Sequence, residues 1–167
     1  MRVALYPGTF DPITNGHVSL IERGLQVFDR IIVAVAKDTP KTPLFSLDER
    51  IDIAREALKH EKLVTVEAYT GLTVQYAKER GVCALLRGLR AVSDFEYEFQ
   101  LALMNRKLES NLQTVFLMTD YRWLYISSTI IKACASQGGS VEGLVPDIVV
   151  KKLAEKFSTT NNLGQIL

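Results

Sequence analysis

The chain has 167 residues, of which 47% are hydrophobic and 23% charged, and its formal net charge at pH 7 is +1. This length suits one domain with a sizeable core, and these proportions are ordinary for a globular protein. A charge so close to neutral gives no reason to expect nucleic-acid or membrane binding, and no apolar run approaches the roughly 18 residues of a membrane span. We therefore expect a cytoplasmic protein with neither kind of partner, in which any basic site is a local cluster.

Two cysteines, Cys83 and Cys134, lie far apart and show neither metal-ligand spacing nor a C-x-x-C arrangement. Two cysteines are too few for a disulfide framework. Because free cysteines are among the most frequently buried residues, the sequence predicts two reduced thiols in the protein interior.

The chain opens with a predicted strand over Arg2–Tyr6, a turn that holds two prolines and two glycines, and a helix that begins near His17. Apolar residues recur at helical spacing along that helix as far as Phe28. The second strand, Arg30–Ala36, is an almost unbroken apolar run, which is typical of a parallel sheet buried on both faces.

A loop over residues 37–45 leads to a helix with a capping-box start, in which Ser46 is the N-cap and Glu49 follows three residues later. The third strand is predicted over Leu63–Ala68. A short helix over residues 74–80 then ends at Gly81, and the fourth strand occupies Val82–Arg87.

A second S-x-x-E start, at Ser93, predicts a long helix to about Leu108, and the fifth strand follows over residues 114–118. The segment 126–129 opens another helix, which ends near Gly138. Pro146 precedes a last helix over residues 147–157. Residues 158–167 are predicted to form a polar tail, so the domain spans residues 1–157.

Five strands that alternate with helices predict one α/β domain of the doubly wound, Rossmann-like type, with a five-stranded parallel sheet and helices on both faces. In such sheets ligands bind outside the carboxyl ends of the strands, where the strand order reverses. Residues suited to binding or chemistry follow all five predicted strands at that edge; they are Thr9 and His17, Lys37 and Lys41, Leu72 and Thr73, Arg87 to Arg90, and Ser127 to Thr129.

The turn after the first strand predicts a phosphate site, because the N–H groups at a helix N-terminus lack intrahelical partners and the helix dipole favours anions. The Thr9 hydroxyl is a candidate donor there, and so is His17, whose alternative is a surface or capping histidine. A bound polyphosphate favours an imidazolium, so we expect an anion to make His17 a double donor. Neither G-x-G-x-x-G nor a Walker lysine motif is present.

The predicted site also contains cations. Lys41 lies in a proline-flanked loop, where the alternative is a solvated side chain. Arg87 ends a buried strand and Arg90 follows it, and a guanidinium in that position requires an anion or a carboxylate. Phosphate and an ion pair with Asp94, Glu96 or Glu98 are both open, and Glu98 is also a candidate acceptor for a ribose hydroxyl.

Three hydroxyls at the start of a helix, on Ser127, Ser128 and Thr129, predict a second anion pocket, because N-capping accounts for one of them only. Trp123 and Tyr125 just before them either flank an adenine or pack internally. No pattern for a covalent nucleophile or a close carboxylate pair is evident. Cations and N–H donors of this kind suit direct in-line displacement at phosphorus without a covalent enzyme intermediate.

Four stretches also carry a resemblance to a known family: Tyr6–Pro12, Thr14–His17, Arg87–Glu98 and Ile126–Thr129. They resemble the nucleotidyltransferase superfamily with its T/H-x-G-H and I-S-S-T signatures. The fuller match, over about residues 1–157, is to the bacterial phosphopantetheine adenylyltransferases, for which the Arg87–Glu98 stretch is especially specific.

The resemblance implies transfer of the adenylyl group of ATP to 4′-phosphopantetheine, which gives dephospho-coenzyme A and pyrophosphate in the penultimate step of coenzyme A synthesis. It further implies Mg²⁺, a homohexamer and feedback inhibition by coenzyme A. The residues that it assigns to catalysis are His17, Lys41, Arg90 and Ser128. Those that it assigns to ATP are Thr9, Phe10, His17, Gly88, Leu89, Arg90, Glu98, Trp123, Leu124, Tyr125, Ile126, Ser127, Ser128 and Thr129. Those that it assigns to 4′-phosphopantetheine are Thr9, Lys41, Thr73 and Arg87, and it assigns no residue to the metal.

Two positions depart from the family pattern. Thr73 stands where members often carry a larger apolar residue, and Lys132 stands where the wider superfamily often has arginine. Two other functions are open: a related nicotinate-mononucleotide adenylyltransferase or cytidylyltransferase, and a nucleotide- or coenzyme-A-binding sensor without turnover. The Arg87–Glu98 stretch argues against the first, and the presence of His17, Lys41, Arg87 and Ser128 argues against the second.

Overall fold

A computed structural model describes residues 1–40 and 42–163 of the chain. The strands are β1 (Val3–Gly8), β2 (Arg30–Ala36), β3 (Val64–Tyr69), β4 (Ala84–Leu89) and β5 (Gln113–Met118). The helices of the described part are α1 (Asn15–Gly24), α2 (Leu47–Ala57), α3 (Thr73–Glu79), α4 (Val92–Leu108), α5 (Ser128–Ser136) and α6 (Asp147–Leu163), and a 3₁₀ turn covers Tyr121–Trp123.

All strand pairs are parallel and the strand order is β3-β2-β1-β4-β5. The chain therefore winds outward in one direction from β1 and returns to wind outward in the other from β4. Because such crossovers are right-handed, α1 and α2 cover one face of the sheet and α3 and α4 the other. This confirms the predicted doubly wound fold, with its switch point between β1 and β4.

The core lies on both faces of the sheet. Alternate residues of β2 belong to two different apolar clusters: Ile31 and Val33 pack with the cluster that includes α1, α2, α5 and α6, whereas Ile32 and Ala34 pack with α3. This alternation follows from the two-residue period of a strand and explains why β2 is apolar almost throughout.

The carboxyl ends of β1 and β4 each lie two residues beyond their predicted positions. Gly8 continues the ladder opposite Val35, and Leu89 continues it opposite Met118, so neighbouring strands extend both elements. Arg87 is consequently an interior residue of β4 rather than its last residue, and it lies next to the carboxyl end of β1.

Three helix boundaries also differ from the predictions. Helix α1 ends at Gly24 and does not reach Phe28, whose buried side chain follows the helix. Helix α4 begins after Ala91 with no side-chain cap, so the prediction of Ser93 as a helix start is wrong. Helix α6 continues to Leu163, and the division of the chain after residue 157 stays a prediction because residues 164–167 lie outside the described part.

Two local predictions can be compared directly with the structure. The capping box of α2 is confirmed: Glu49 N–H donates to the Ser46 hydroxyl at 3.2 Å, and Ser46 N–H donates to the Glu49 carboxylate at 2.7 Å. The two cysteines are free, but Cys83 is exposed and Cys134 half-buried, so the prediction of buried thiols is wrong. Cys83 directly precedes β4, outside the buried part of that strand. In the described ranges, no helix is long and apolar enough to cross a membrane.

Candidate active site

A cavity of about 580 Å³ opens at the switch point, between the carboxyl ends of β1 and β4. Its walls come from the turn after β1, the start of α1, the end of β4, one side of α4 and the start of α5. The predicted site residues that line it are Thr9, Phe10, His17, Arg87, Gly88, Arg90, Glu98, Trp123, Ile126, Ser127, Ser128 and Thr129. The fold therefore brings most of the predicted residues to one place.

A second cavity of about 290 Å³ adjoins the first and shares Thr9, Phe10, His17, Ser128 and Thr129 with it. Its other wall comes from the loop after β2 and from one side of α5; those lining residues are Thr39, Pro40, Thr42, Pro43 and Lys132, and Asp11 of the turn after β1 completes the lining. The two cavities thus meet at Thr9, His17 and Ser128, which is an arrangement suited to two ligands that react with each other.

Some predicted residues do not line either cavity. Leu124 and Tyr125 are exposed side chains, and Leu89 is also absent from the lining. Thr73 is the first residue of α3, where its hydroxyl lies 3.1 Å from the Tyr69 hydroxyl. The cavities therefore do not support these four assignments, and Lys41 lies outside the described residues.

His17 is the third residue of α1 and closes the start of that helix. Its Nδ1 accepts a hydrogen bond from the Thr14 backbone N–H at 2.9 Å and lies 3.0 Å from the Thr14 hydroxyl. A backbone N–H can only donate, so Nδ1 is unprotonated and the ring proton is on Nε2. Burial, together with the charges of Arg90 and Arg87, lowers the pKa of His17 to about 4.

The imidazole is therefore neutral at pH 7 and has one N–H to offer a ligand. The expected double donor concerns the ring with an anion bound and stays a prediction; in this structure the Thr14 N–H occupies Nδ1. The nearby arginines oppose a further positive charge on the ring. The arginines therefore supply the positive charge of the site, and the neutral His17 ring supplies one hydrogen-bond donor, Nε2–H.

The turn before α1 has a constrained backbone. Phe10 is buried and has φ +48, in the left-handed region that favours glycine. Its ring lies edge-on to Tyr6 and to His17, with centroids 5.3 and 5.2 Å apart. A Cβ added to Gly8 would lie 2.9 Å from that ring, so glycine is required where the Phe10 side chain folds back over β1. The strained residue thus holds the His17 ring from the side.

Arg87 and Glu98 form a two-point ion pair on the opposite side of the cavity. Arg87 Nε donates to Glu98 at 2.8 Å, Nη2 donates at 2.5 Å, and Nη1 donates to the Pro7 carbonyl at 3.0 Å. Of the two alternatives left open by the sequence, the carboxylate partner is present. The guanidinium nevertheless retains two N–H groups beyond these bonds.

Arg90 is held more loosely than Arg87. Its Nε lies 3.3 Å from the Asp94 carboxylate and its Nη1 lies 3.3 Å from the Ile126 carbonyl. The side chain is 43% exposed. Long bonds and this exposure leave the guanidinium available to an anionic ligand in the cavity.

The three hydroxyls at the start of α5 have different partners. Ser127 accepts from the Ile130 N–H at 3.2 Å and is the N-cap, whereas Ser128 donates to the Pro12 carbonyl at 2.8 Å. Thr129 lines both cavities. Because the first N–H groups of a helix have no intrahelical acceptor, the start of α5 offers backbone donors near the junction of the cavities.

Two functional candidates were missed from the sequence. Neither Asp11 nor Arg50 is among the predicted site residues, yet both are buried beside the junction. The available signal was spacing: Arg50 falls between Leu47 and Ala54 on the apolar face of its helix, where a charged residue requires an explanation.

The residues of the site do not form a dedicated metal centre. No group of three potential metal-ligating side chains occurs among the described residues. The carboxylates of the larger cavity, Asp94 and Glu98, are paired with arginines. These residues therefore do not fit a cation held by the protein itself.

The family model described as cytidylyltransferase-like matches residues 5–134, from β1 to the last turns of α5. This range contains every residue at the junction of the two cavities. The chain therefore belongs to the cytidylyltransferase-like family, and it is a nucleotidyltransferase enzyme.

Similar proteins narrow the family further. The phosphopantetheine adenylyltransferase of Oleidesulfovibrio alaskensis is 67% identical over 156 residues, which cover 93% of this chain and 92% of that protein. The phosphopantetheine adenylyltransferase of Nitratidesulfovibrio vulgaris strain DP4 is 69% identical over 93% of this chain and 84% of its own length. That of Solidesulfovibrio magneticus is 55% identical over 98% of this chain and 95% of its own length. Within the family, the chain thus belongs to the phosphopantetheine adenylyltransferases, which confirms the resemblance seen in its motifs.

Proposed function

We propose that this enzyme transfers the adenylyl group of ATP to 4′-phosphopantetheine and releases pyrophosphate and dephospho-coenzyme A. The observation that carries the proposal is the meeting of two cavities at Thr9, His17 and Ser128, with arginines on the facing wall. The larger cavity, at about 580 Å³, has the size of an ordinary small-molecule site. The names of the similar proteins support this choice of substrates, which belongs to the penultimate step of coenzyme A synthesis.

The proposed reaction is a direct in-line displacement. An oxygen of the phosphopantetheine phosphate forms a bond to the α-phosphorus of ATP, and the bond from that phosphorus to the bridging oxygen breaks, so pyrophosphate leaves with the electron pair. The attacking phosphate is already anionic and needs no general base. Catalysis then depends on alignment and on stabilisation of negative charge.

His17 has the central role in this proposal. Its single donor, Nε2–H, stabilises the α-phosphate oxygens as charge develops, because Nδ1 is held by Thr14. Arg90 and the N–H groups at the start of α5 neutralise the phosphates of ATP. Ser128 acts by its backbone and by joining α5 to the first turn, since its hydroxyl already donates to Pro12.

The phosphopantetheine phosphate is assigned to Arg87 and Lys41. Arg87 has N–H groups left over from its pair with Glu98. Pro40 and Thr42, which flank Lys41, line the second cavity beside Thr9. Thr73 lies outside both cavities, and its assignment to the pantetheine arm rests on the family resemblance alone.

We also propose that Mg²⁺ enters as a complex with ATP. This ion keeps several waters and commonly binds through substrate phosphates, so the enzyme needs no metal cage of its own. The cytoplasm is the expected compartment for such a biosynthetic reaction.

Assembly as a homohexamer with feedback by coenzyme A completes the proposal. Helix α4 exposes large apolar side chains along its length, namely Phe95, Phe99, Leu103, Met104 and Leu108. Contiguous apolar surface of this kind is unusual on a monomer and suits contact with further copies. Coenzyme A contains the phosphopantetheine group, so it would compete for the same cavity.

One experiment separates this function from its alternatives. The protein is incubated with ATP, Mg²⁺ and either 4′-phosphopantetheine or nicotinate mononucleotide, and pyrophosphate release is measured. We expect release with phosphopantetheine only. Release only with the mononucleotide would indicate the related adenylyltransferase, and binding of ATP without release in either mixture would indicate a sensor.

A further inference from the structure

Two charged residues that the proposed reaction does not use lie behind the junction of the cavities. Asp11 is 4% exposed and Arg50 2%, and they are the only buried charged residues among those whose burial the structure describes. Burial of a charge is costly unless hydrogen bonds and opposite charges compensate, so their partners indicate their role.

Arg50 binds three backbone carbonyls from three separate segments. Its Nη1 donates to Thr9 at 2.8 Å and to Ala36 at 2.9 Å, and its Nε donates to Phe45 at 3.2 Å. Thr9 belongs to the turn after β1, Ala36 ends β2, and Phe45 ends the following loop. One planar guanidinium therefore fixes the relative positions of these three segments.

Asp11 binds the same loop from its other side. Its two oxygens accept hydrogen bonds from the N–H groups of Leu44 and Phe45, both at 2.9 Å, and Lys132 of α5 pairs with the same carboxylate. The N–H of Phe45 is thus held by Asp11 and its carbonyl by Arg50. The charge of Asp11 opposes the lowering of the Arg50 pKa by burial, which indicates that the two groups act on each other.

The start of this loop is fixed as well. Lys37 N–H donates to the Tyr69 carbonyl at 2.8 Å, and the Asp38 carboxylate accepts from Thr70 at 2.5 Å. The loop is thus held at both ends, at residues 37–38 and at residues 44–45. The described residues between these ends, Thr39, Pro40, Thr42 and Pro43, form the outer wall of the second cavity. That wall faces Thr9 and His17 across the cavity.

We propose that Asp11 and Arg50 form a positioning clamp that sets the distance between the 37–45 loop and the Thr9–His17 turn, and thereby aligns the attacking phosphate with the α-phosphorus. This inference rests on the proposed function. Apolar side chains would serve the stability of a core at least as well as a buried guanidinium. A fork that joins three carbonyls instead serves the relative placement of two substrates.

The test compares Arg50→Lys, Asp11→Asn and the double variant with wild type. Lysine keeps the charge but loses the planar fork, and asparagine keeps the shape but loses the charge and one acceptor. Displacement of the loop should lower kcat/KM for 4′-phosphopantetheine by about 10- to 100-fold in each single variant, with a much smaller change in the KM for ATP. The double variant should lose no more than the worse single variant, because the two residues hold the same residue of the loop, Phe45, by its N–H and its carbonyl.

The control is Ile53→Val or Ile53→Ala, whichever matches the loss of melting temperature of the clamp variants. Ile53 is buried on the same helix and makes none of the clamp contacts. It should keep the wild-type kcat/KM. The proposal is overturned if the clamp variants keep the wild-type kcat/KM although they lose as much melting temperature as the control. It is also overturned if the losses of kcat/KM in the two single variants add fully in the double variant. In either case the role of the clamp is structural only.

Two further results are distinguishable from these. If Arg50→Lys does not fold, the kinetics of Asp11→Asn against the same control decide the question. If wild type releases no pyrophosphate with phosphopantetheine, the proposed function itself fails. An active wild type with unaffected variants rejects the clamp alone.

Discussion

The two walls of the site are built differently. The turn wall, residues 9–17, is held by buried hydrogen bonds: its own Asp11 accepts from the Phe45 N–H, and Arg50 donates to the Thr9 carbonyl. It lies beside β2, in which five of seven residues are buried. The helix wall, residues 87–98, is carried by β4 and α4 next to the edge strand β5, in which no residue is fully buried. One wall is thus complete within the chain, whereas the other presents apolar surface outward.

Because of this difference, we expect the geometry of the two walls to depend differently on the assembly of several copies of the chain. The turn wall positions His17 through buried hydrogen bonds, so its geometry should be insensitive to assembly. The helix wall positions Arg87 through Glu98 of α4, whose outer face is exposed and apolar. We therefore expect changes in the turn wall to lower kcat, and changes in the helix wall to weaken substrate binding.

The largest effect is expected from His17→Ala. The variant should lower kcat by about 10²- to 10⁴-fold with little change in the KM for ATP, because the lost donor acts mainly in the transition state. Steady-state pyrophosphate release measures both quantities. The exposed His60 provides a matched control, and His60→Ala should behave as wild type. A wild-type kcat in His17→Ala would refute the role.

Arg87→Ala should act on the other substrate. We expect the KM for 4′-phosphopantetheine to rise by about tenfold or more, because a charge-assisted hydrogen bond to phosphate is lost. Titration of each substrate at saturating levels of the other measures the effect. Arg80→Ala, which breaks an ion pair with Glu67 away from the cavities, is the control. A change confined to ATP would contradict the assignment.

A charge on the outer face of α4 should disrupt assembly. Leu103→Glu is expected to convert the proposed hexamer to smaller species, because a carboxylate would then be buried between copies. Light scattering measures the mass in solution. Leu63→Glu is the control, since the two leucines are 51% and 53% exposed but Leu63 precedes β3. Equal masses for the two variants, or a wild-type monomer, would rule out this face as the interface.

The smallest effect concerns pH. The pKa of His17 is about 4 in the folded protein, against 6.5 for the unperturbed group. The unfolded chain therefore binds more protons between these values, and stability falls as pH falls through that window. Denaturant unfolding should show about 2–3 kcal/mol less stability from this group at pH 4.5 than at pH 7. His17→Gln should remove that part of the pH dependence, and an unchanged slope would contradict a buried neutral ring.

The sequence by itself determined the order of strands and helices along the chain and the edge of the sheet where the site lies. Periodicity and turn residues act locally, so β2, the capping box at Ser46 and the start of α5 were predictable from their own residues. The ends of β1 and β4 were not, because the ladders to Val35 and Met118 extend them.

Only the tertiary structure decided how the site residues are used. The partner of Arg87 was one of several candidates until α4 placed Glu98 beside it, and the proton of His17 was assigned by the Thr14 N–H. The role of Arg50 depends on carbonyls from three segments that are distant in the chain. Local sequence patterns predict elements because helices and strands depend on near neighbours. The charge state and pairing of a side chain depend on groups that only the fold brings within hydrogen-bonding distance.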